Sequence, residues 1–409
     1  MAFEIDPGLF ENAQCKGISI KIVGVGGCGC NALNTMIEHE ISGVEYVAFN
    51  TKPQELLNSK APIRVRIGKN AGNGIEPATA FLKGPLNSPL FTEEDRQHIA
   101  AQLHGADIVI IAAGMGKDTG TTVAPLIALI ARNMGILTIG LVTKPFTCEG
   151  KMKAKTADDG ISELRKYIDT LILVDNEQIM SGAEENTTVT EAFNLANDVM
   201  YRAAKGIADI LNSRGHINVN FGDVAGLMTN AGDAVIGTAA ASGERRALKA
   251  STDAFNNIQM EGIVVHGAKG VLVNITGEVT MRDMTDAMTY IEKQVGSDTN
   301  IINGYIDDAS LSGETRVTII VTGFKRKRSY EPIPQALETC SIGYGVHASP
   351  AIDYSIPAYI RRQTMNNDGE PMAQSPVLAA KIELREDRIQ KGLTGTPAYL
   401  RRMKEGNTD

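Results

Sequence analysis

Gly24-Val25-Gly26-Gly27-Cys28-Gly29-Cys30-Asn31 ends an apolar run that begins at Ile18 and leads into a helical pattern from Asn31 to Glu40. A buried strand, a glycine turn and a helix in that order open a βαβ unit, so this junction decides the fold class. The construction recurs at Gly114-Met115-Gly116-Lys117-Asp118-Thr119-Gly120-Thr121-Thr122, again between an apolar run and a helical pattern. Glycines at such junctions let the backbone approach a ligand, and the N–H groups of the turn and first helical residues then face one anion. Two such turns predict a site for a phosphate chain.

Further strands are expected at Val44–Asn50, Ala106–Ala113 and Ile136–Thr143, with helical segments between them, which implies an α/β, Rossmann-like parallel sheet. Thr190–Leu211 keeps apolar residues at helical spacing over about six turns, long enough to connect two halves. After it, Val- and Thr-rich strands at Gly270–Thr276 and Thr315–Thr322 flank a helix at Met281–Val295, a second, smaller α/β domain. Beyond Phe324 the pattern dissolves into Pro, Ser, Asn and charged residues with one helical candidate, Val377–Lys391. The expected organisation is an N-terminal extension (1–16), a sheet domain (17–189), a central helix (190–212), a second domain (213–324) and a disordered, flexible tail (325–409).

With 409 residues, 43% of them hydrophobic, the chain has material for a large core. Its net charge of −8 argues against a nucleic-acid surface, and the basic run Lys325-Arg326-Lys327-Arg328 is read as a solvated linker. Five scattered cysteines, no paired Cys/His spacing and no secretory leader predict a reduced, cytoplasmic chain without disulfides or a dedicated metal site. Apolar stretches such as Ala106–Ala113 are far short of the roughly 18 residues that span a bilayer, so no membrane insertion is expected.

Gly24-x-Gly26-x-x-Gly29 is also the dinucleotide-binding fingerprint, which raises an NAD-dependent oxidoreductase as an alternative. Its companion acid at the end of the second strand is missing, because that strand ends Phe49-Asn50-Thr51-Lys52. A second glycine turn serves no dehydrogenase, whereas a triphosphate needs more donors than one helix terminus supplies. The P-loop pattern is not met either, since Asp118 rather than Ser or Thr follows Lys117.

The two turns, Asn50-Thr51, Ala71-Gly72-Asn73, Thr143-Lys144-Pro145-Phe146, Glu149-Gly150, Phe193 to Asp198 and Asn218-Val219-Asn220-Phe221-Gly222-Asp223 occur in one fixed order. In that order and context they resemble the FtsZ family of bacterial cell-division tubulins, from about Gly17 to Phe324. The resemblance implies a GTP/GDP-binding N-terminal domain, Mg²⁺ with the nucleotide, and protomers that stack head to tail into a division ring, hydrolysing GTP between them. It places Gly26, Gly27, Cys28, Gly29, Cys30 and Asn31, then Ala71, Gly72 and Asn73, then Gly114 and Thr122 at the nucleotide, with Gly116, Thr119, Gly120 and Thr121 wrapping the phosphates. Glu149 falls where the family holds the ribose, Lys153 and Asn176 fall at the nucleotide, and Phe193, Asn197 and Asp198 near the base, with the Phe193 ring suited to stacking and an amide or carboxylate suited to the purine's polar edge. Asn218, Asn220 and Asp223 fall on the loop that a neighbouring subunit inserts over the γ-phosphate.

Two departures from the family bear on hydrolysis. The family's Gly-Gly-Gly-Thr-Gly-Thr-Gly is here Gly116-Lys117-Asp118-Thr119-Gly120-Thr121-Thr122, so Asp118 either repels the phosphates or points to solvent with Lys117. The family's Asn-x-Asp-Phe-x-Asp carries an amide at Asn220, which orients water but accepts no proton, so slow hydrolysis is expected, with a GTP-binding regulator or copolymer of little turnover as the alternative. In the tail, Ile356-Pro357-Ala358-Tyr359-Ile360-Arg361-Arg362 and Thr396-Pro397-Ala398-Tyr399-Leu400-Arg401-Arg402 are near copies, within 355–363 and 395–403. Both resemble the family's terminal peptide for membrane-tethering and regulatory division proteins, and aromatic and aliphatic anchors beside two arginines suit an apolar groove with an acidic rim.

Overall fold

The computed structural model describes residues 18–68, 91–181, 186–212, 219–260, 263–308, 311 and 313–326. Ala71-Gly72-Asn73, Asn218, the helix expected at 377–391 and both tail peptides lie outside the described residues.

β1 (Ile20–Val25) is apolar at all but Lys21 and Gly24, and every position is buried. α1 (Gly26–Glu38) follows directly, so the glycine turn is itself the first helical turn rather than a loop before Asn31. Next come β2 (Val44–Asn50), α2 (Pro53–Leu57), β3 (Ile63–Arg66), α3 (Glu93–Leu103), β4 (Ile108–Gly114), α4 (Asp118–Asn133) and β5 (Leu137–Lys144). A 3₁₀ turn (Thr147–Glu149), α5 (Lys151–Leu164), β6 (Thr170–Asp175), α6 (Asn176–Ser181) and the long α7 (Val189–Asn212) complete the first half. The second half carries α8 (Phe221–Met228), β7 (Gly232–Ser242), α9 (Arg246–Met260), β8 (Ile263–Val264), β9 (Gly270–Thr276), α10 (Met281–Val295), β10 (Asn300–Ile306), β11 (Glu314–Thr322) and β12 (Lys325–Arg326).

Among the described residues ten strands form one sheet in the order β10-β9-β11-β7-β6-β5-β4-β1-β2-β3. From β3 to β7 the pairings are parallel, and β11 runs antiparallel to both β7 and β9. β1 and β4 are buried on both faces, the environment that continuous apolar runs in parallel sheets require. One core gathers Val23, Phe49, Ile111, Ile127 and Leu164, and a second gathers Phe255, Val273, Ile291 and Ile319. β6 and β7 join the halves through one ladder, Thr170 opposite Gly232 and Ile172 opposite Ala234. Arg165 reinforces that seam by donating from Nε and Nη2 to the two Asp233 carboxylate oxygens at 3.0 and 3.1 Å.

Asp169 is a buried carboxylate at the same seam. Its Oδ2 accepts the Thr138 N–H at 3.0 Å and its Oδ1 the Asn230 N–H at 3.3 Å. Burial pushes its carboxyl above the ordinary aspartate value, against the pull of those two bonds. The folded chain therefore holds this proton more tightly than the unfolded one. The resulting stability is fully present below the unfolded value of about 3.9 and is lost as pH rises through the folded value. Asp169→Ala leaves the buried Thr138 N–H without its partner and is expected to cost about 1–3 kcal/mol, read from urea midpoints, with Asp169→Asn costing less.

Candidate functional site

The two glycine turns meet at the carboxyl ends of β1 and β4, which are adjacent and in register from Ile20 opposite Ile108 to Val25 opposite Ala113. This is where parallel α/β sheets place ligands. Gly26 has φ +71°, and a Cβ on it would lie 3.1 Å from the Gly120 N, so the N-termini of α1 and α4 converge. Gly120 in turn packs so closely on β4 that a Cβ would lie 2.2 Å from the Gly114 carbonyl oxygen. Neither helix has a side-chain N-cap, whereas Thr92 and Thr280 close capping boxes on α3 and α10. The first N–H groups of α1 and α4 are thus left for an anion, with both helix dipoles behind them.

The side chains around this junction divide into those that face a ligand and those that hold the turns. Cys28 lies against Thr143, Sγ to Oγ1 at 3.7 Å, and burial raises its thiol. Cys30 is buried beside Asn50 and is pushed up to about 11 by burial, so it is neutral at physiological pH and adds no charge to an anion site. Gly29 is buried and Asn31 exposed on the next turn of α1. Gly116 donates its N–H to Thr121 Oγ1 at 3.0 Å, and that hydroxyl donates to the Lys117 carbonyl. Thr122 donates to the Asp118 carbonyl at 2.6 Å. The Thr121 and Thr122 hydroxyls are therefore internal braces of the turn, and the Thr121 N–H is spent on the Lys117 carbonyl at 3.3 Å, so the donors left for a phosphate are the N–H groups of Asp118, Thr119 and Gly120. Thr119 and Thr51 hydroxyls meet at 2.7 Å, tying the turn after β4 to the end of β2. Lys117 and Asp118 are both exposed, in line with the solvent-facing alternative for that pair.

Beyond β5, Glu149 accepts the Phe146 N–H at 3.0 Å and pairs with Lys153 four residues on. Phe146 is buried and meets Phe193 edge to face, ring centroids 5.1 Å apart at 86°. Phe193 stays 41% exposed, an aromatic face held in place but uncovered. Asn176 is 4% exposed, and its Oδ1 has no hydrogen-bond partner among the described residues. A buried orphan acceptor directly after the carboxyl end of β6 fits a ligand that carries N–H donors, as a purine edge does. Asn197 is half-buried on α7. Asp198 pairs with Arg202 and lines a separate cleft of about 370 Å³ between α7 and the strands β7, β9 and β11. Asp209 lines that cleft too, its carboxyl raised by burial despite Lys205 at 3.2 Å.

The last candidates sit elsewhere. Asn220 is exposed and caps α8, its Oδ1 accepting the Asp223 N–H at 2.8 Å. Asp223 is exposed in the first turn of α8. The end of that helix is tied to the start of β6, where Thr170 Oγ1 donates to the Met228 carbonyl at 2.5 Å, at the amino ends of the parallel strands and so opposite the glycine turns. Five residues at the site escaped the sequence reading as site residues: Asn50, Thr51, Glu55, Thr143 and Phe146. Four of them stand at or just beyond the carboxyl ends of β2 and β5, a positional signal that chemistry-bearing motifs alone do not carry.

Residues 19–184 match the GTPase domain of the Tubulin/FtsZ family, and residues 232–325 match the C-terminal domain of the FtsZ family. The chain is 38% identical over 325 residues to the cell division protein FtsZ of Magnetospirillum gryphiswaldense, covering 79% of this chain and 57% of that protein. It is 41% identical over 310 residues to the cell division protein FtsZ of Caulobacter vibrioides, covering 74% and 59%. The chain thus spans less than two thirds of the length of these curated relatives. The solved structure of an empty FtsZ dimer from M. jannaschii superposes with a TM-score of 0.69 at 31% identity, covering 81% of this chain and 98% of that one. With both halves of the sheet matched and nearly all of that relative covered, the chain belongs to the FtsZ family.

Proposed function

We propose that the chain is a GTP-dependent cytoskeletal protein that polymerises head to tail into the division ring and hydrolyses GTP where two copies meet. The observation that carries this is the separation of the two parts of the site. The nucleotide reading is supported at the carboxyl end of the sheet by the uncapped helices and by Asn176 and Phe193. Asp223 lies beyond the other end of α7, whose 24 residues span about 36 Å. A carboxylate there reaches a γ-phosphate only on another copy.

In this reading residues 17–189 bind the nucleotide and 213–324 carry the loop that acts on the neighbour. The uncapped N–H groups after Gly26 and Lys117 hold the phosphates, Glu149 with Lys153 the ribose, and Phe193, Asn176 and Asn197 the base, while Asp198 is paired with Arg202 at the separate cleft and takes no part. Asp223 polarises the attacking water and Asn218 positions its loop. Asn220 spends its amide oxygen on the α8 cap, which favours slow turnover and leaves Asp223 the principal group. The oxygen donors present, Thr51, Thr119 and Glu55, fit Mg²⁺ held chiefly by the phosphates, since no group of three His, Cys, Asp or Glu forms a cage among the described residues. Bound Mg²⁺ neutralises charge developing on the phosphates. No described helix is long and apolar enough to cross a membrane. In this reading the filament is cytoplasmic and is tethered through partners bound at Ile356–Arg362 and Thr396–Arg402.

Titration with a fluorescent GTP analogue tests the nucleotide reading. Competition by GTP and GDP but not ATP is expected, and Phe193→Ala should weaken binding about tenfold, the loss of one stacked face. Equal competition by ATP would contradict the base assignment.

A further inference from the structure

We propose that Glu55 is a specificity-determining residue that makes triphosphate binding depend on a divalent cation, an inference that rests on the nucleotide reading above. Glu55 Oε2 lies 2.9 Å from where a Cβ on Gly27 would stand, so its carboxylate looks onto the first glycine turn. It is held there by Asn50, whose Nδ2 donates to Oε2 at 2.7 Å, and by Lys52, whose Nζ is 3.4 Å from Oε1. Asn50 is itself fully buried, and its Oδ1 accepts the Lys52 N–H at 3.1 Å, so the segment that presents the carboxylate is fixed from below. Thr51 anchors the same segment to the second turn through Thr119.

A phosphate oxygen accepting the Gly27 N–H would lie within roughly 8 Å of the Glu55 carboxylate. A fixed negative charge at that range opposes every added phosphate, and a triphosphate carries more charge than a diphosphate. A divalent cation between them reverses the sign, because carboxylate and phosphate oxygens are both hard ligands. Lys52 offsets part of the repulsion but stays exposed and paired, so it does not replace the cation. The chain then binds diphosphate in either condition and takes up triphosphate only with the metal.

Dissociation constants for GDP and for a non-hydrolysable GTP analogue, measured on the full chain in chelator and in Mg²⁺, test this. Glu55→Gln keeps the shape and removes the charge. It is expected to raise the triphosphate-to-diphosphate affinity ratio in chelator about tenfold and to shrink the effect of Mg²⁺ by the same factor. Lys52→Met should move the ratio in chelator the opposite way. A ratio that stays unchanged in Glu55→Gln, or a loss of both nucleotides alike in both variants, overturns the proposal. Failure of the parent chain to bind any guanine nucleotide overturns the nucleotide reading itself.

Discussion

Gly120→Ala is expected to reduce guanine-nucleotide affinity by at least about a hundredfold. The added methyl would sit 2.2 Å from the Gly114 carbonyl oxygen, a separation that real side chains do not adopt. Relief requires α4 to move away from β4, which takes the free N–H groups of Asp118, Thr119 and Gly120 out of register with those of α1. Overpacking of this kind also costs about 1–3 kcal/mol of stability. The relevant measurements are nucleotide titration and a thermal melt of the same sample. A variant that is destabilised yet binds with unchanged affinity would show that the turn after β4 is a packing device and not the phosphate cradle.

Asp223→Ala is expected to leave nucleotide affinity unchanged and to lower GTP turnover about a hundredfold or more, the range for removing one positioned polar group that handles the attacking water. The split follows from geometry. Asp223 is exposed in the first turn of α8 and is separated from Phe193 by the length of α7. Asn220→Ala should behave differently. It removes the α8 cap and is expected to cost about 1 kcal/mol of stability, with a smaller effect on turnover than Asp223→Ala. Equal kinetic losses in the two variants would restore a direct role for the Asn220 amide.

Much of this architecture is legible in the residues because the strands at its centre are buried on both faces. Val44–Asn50, Gly270–Thr276 and the helix Met281–Val295 were readable to the residue from apolar runs and helical spacing. β7 was not. Gly232–Ser242 is rich in alanine and glycine and low in β-branched residues, which gives it little intrinsic strand preference. It is a strand because β11 pairs along it from Ala234 to Ser242, and its small residues admit α9 so closely that a Cβ on Gly237 would lie 2.1 Å from the Ala254 carbonyl. β6 is a short apolar run that periodicity alone does not separate from a buried helix, and β3 and β10 are edge strands with charged or polar positions.

At the site, glycine spacing announced both turns, but spacing carries no direction. Thr121 reads only as a residue beside the phosphates, and the sequence does not show that its hydroxyl is spent inside the turn, where it accepts the Gly116 N–H. Asn220 reads as a water-orienting amide and serves as a helix cap. Glu55 carries no motif. It reaches the turn because Pro53 starts a short helix directly after β2 and swings the carboxylate back over Gly27.

The central claim is that the hydrolytic site is complete only when two copies meet. Phosphate release from GTP in Mg²⁺, followed across a protein concentration series with sedimentation of polymer in parallel, tests it most directly. Turnover per protomer should be near zero at low concentration and rise at the concentration where polymer first pellets. Turnover per protomer that is constant from the lowest concentration, with or without polymer, would place the whole site within one chain and contradict the account.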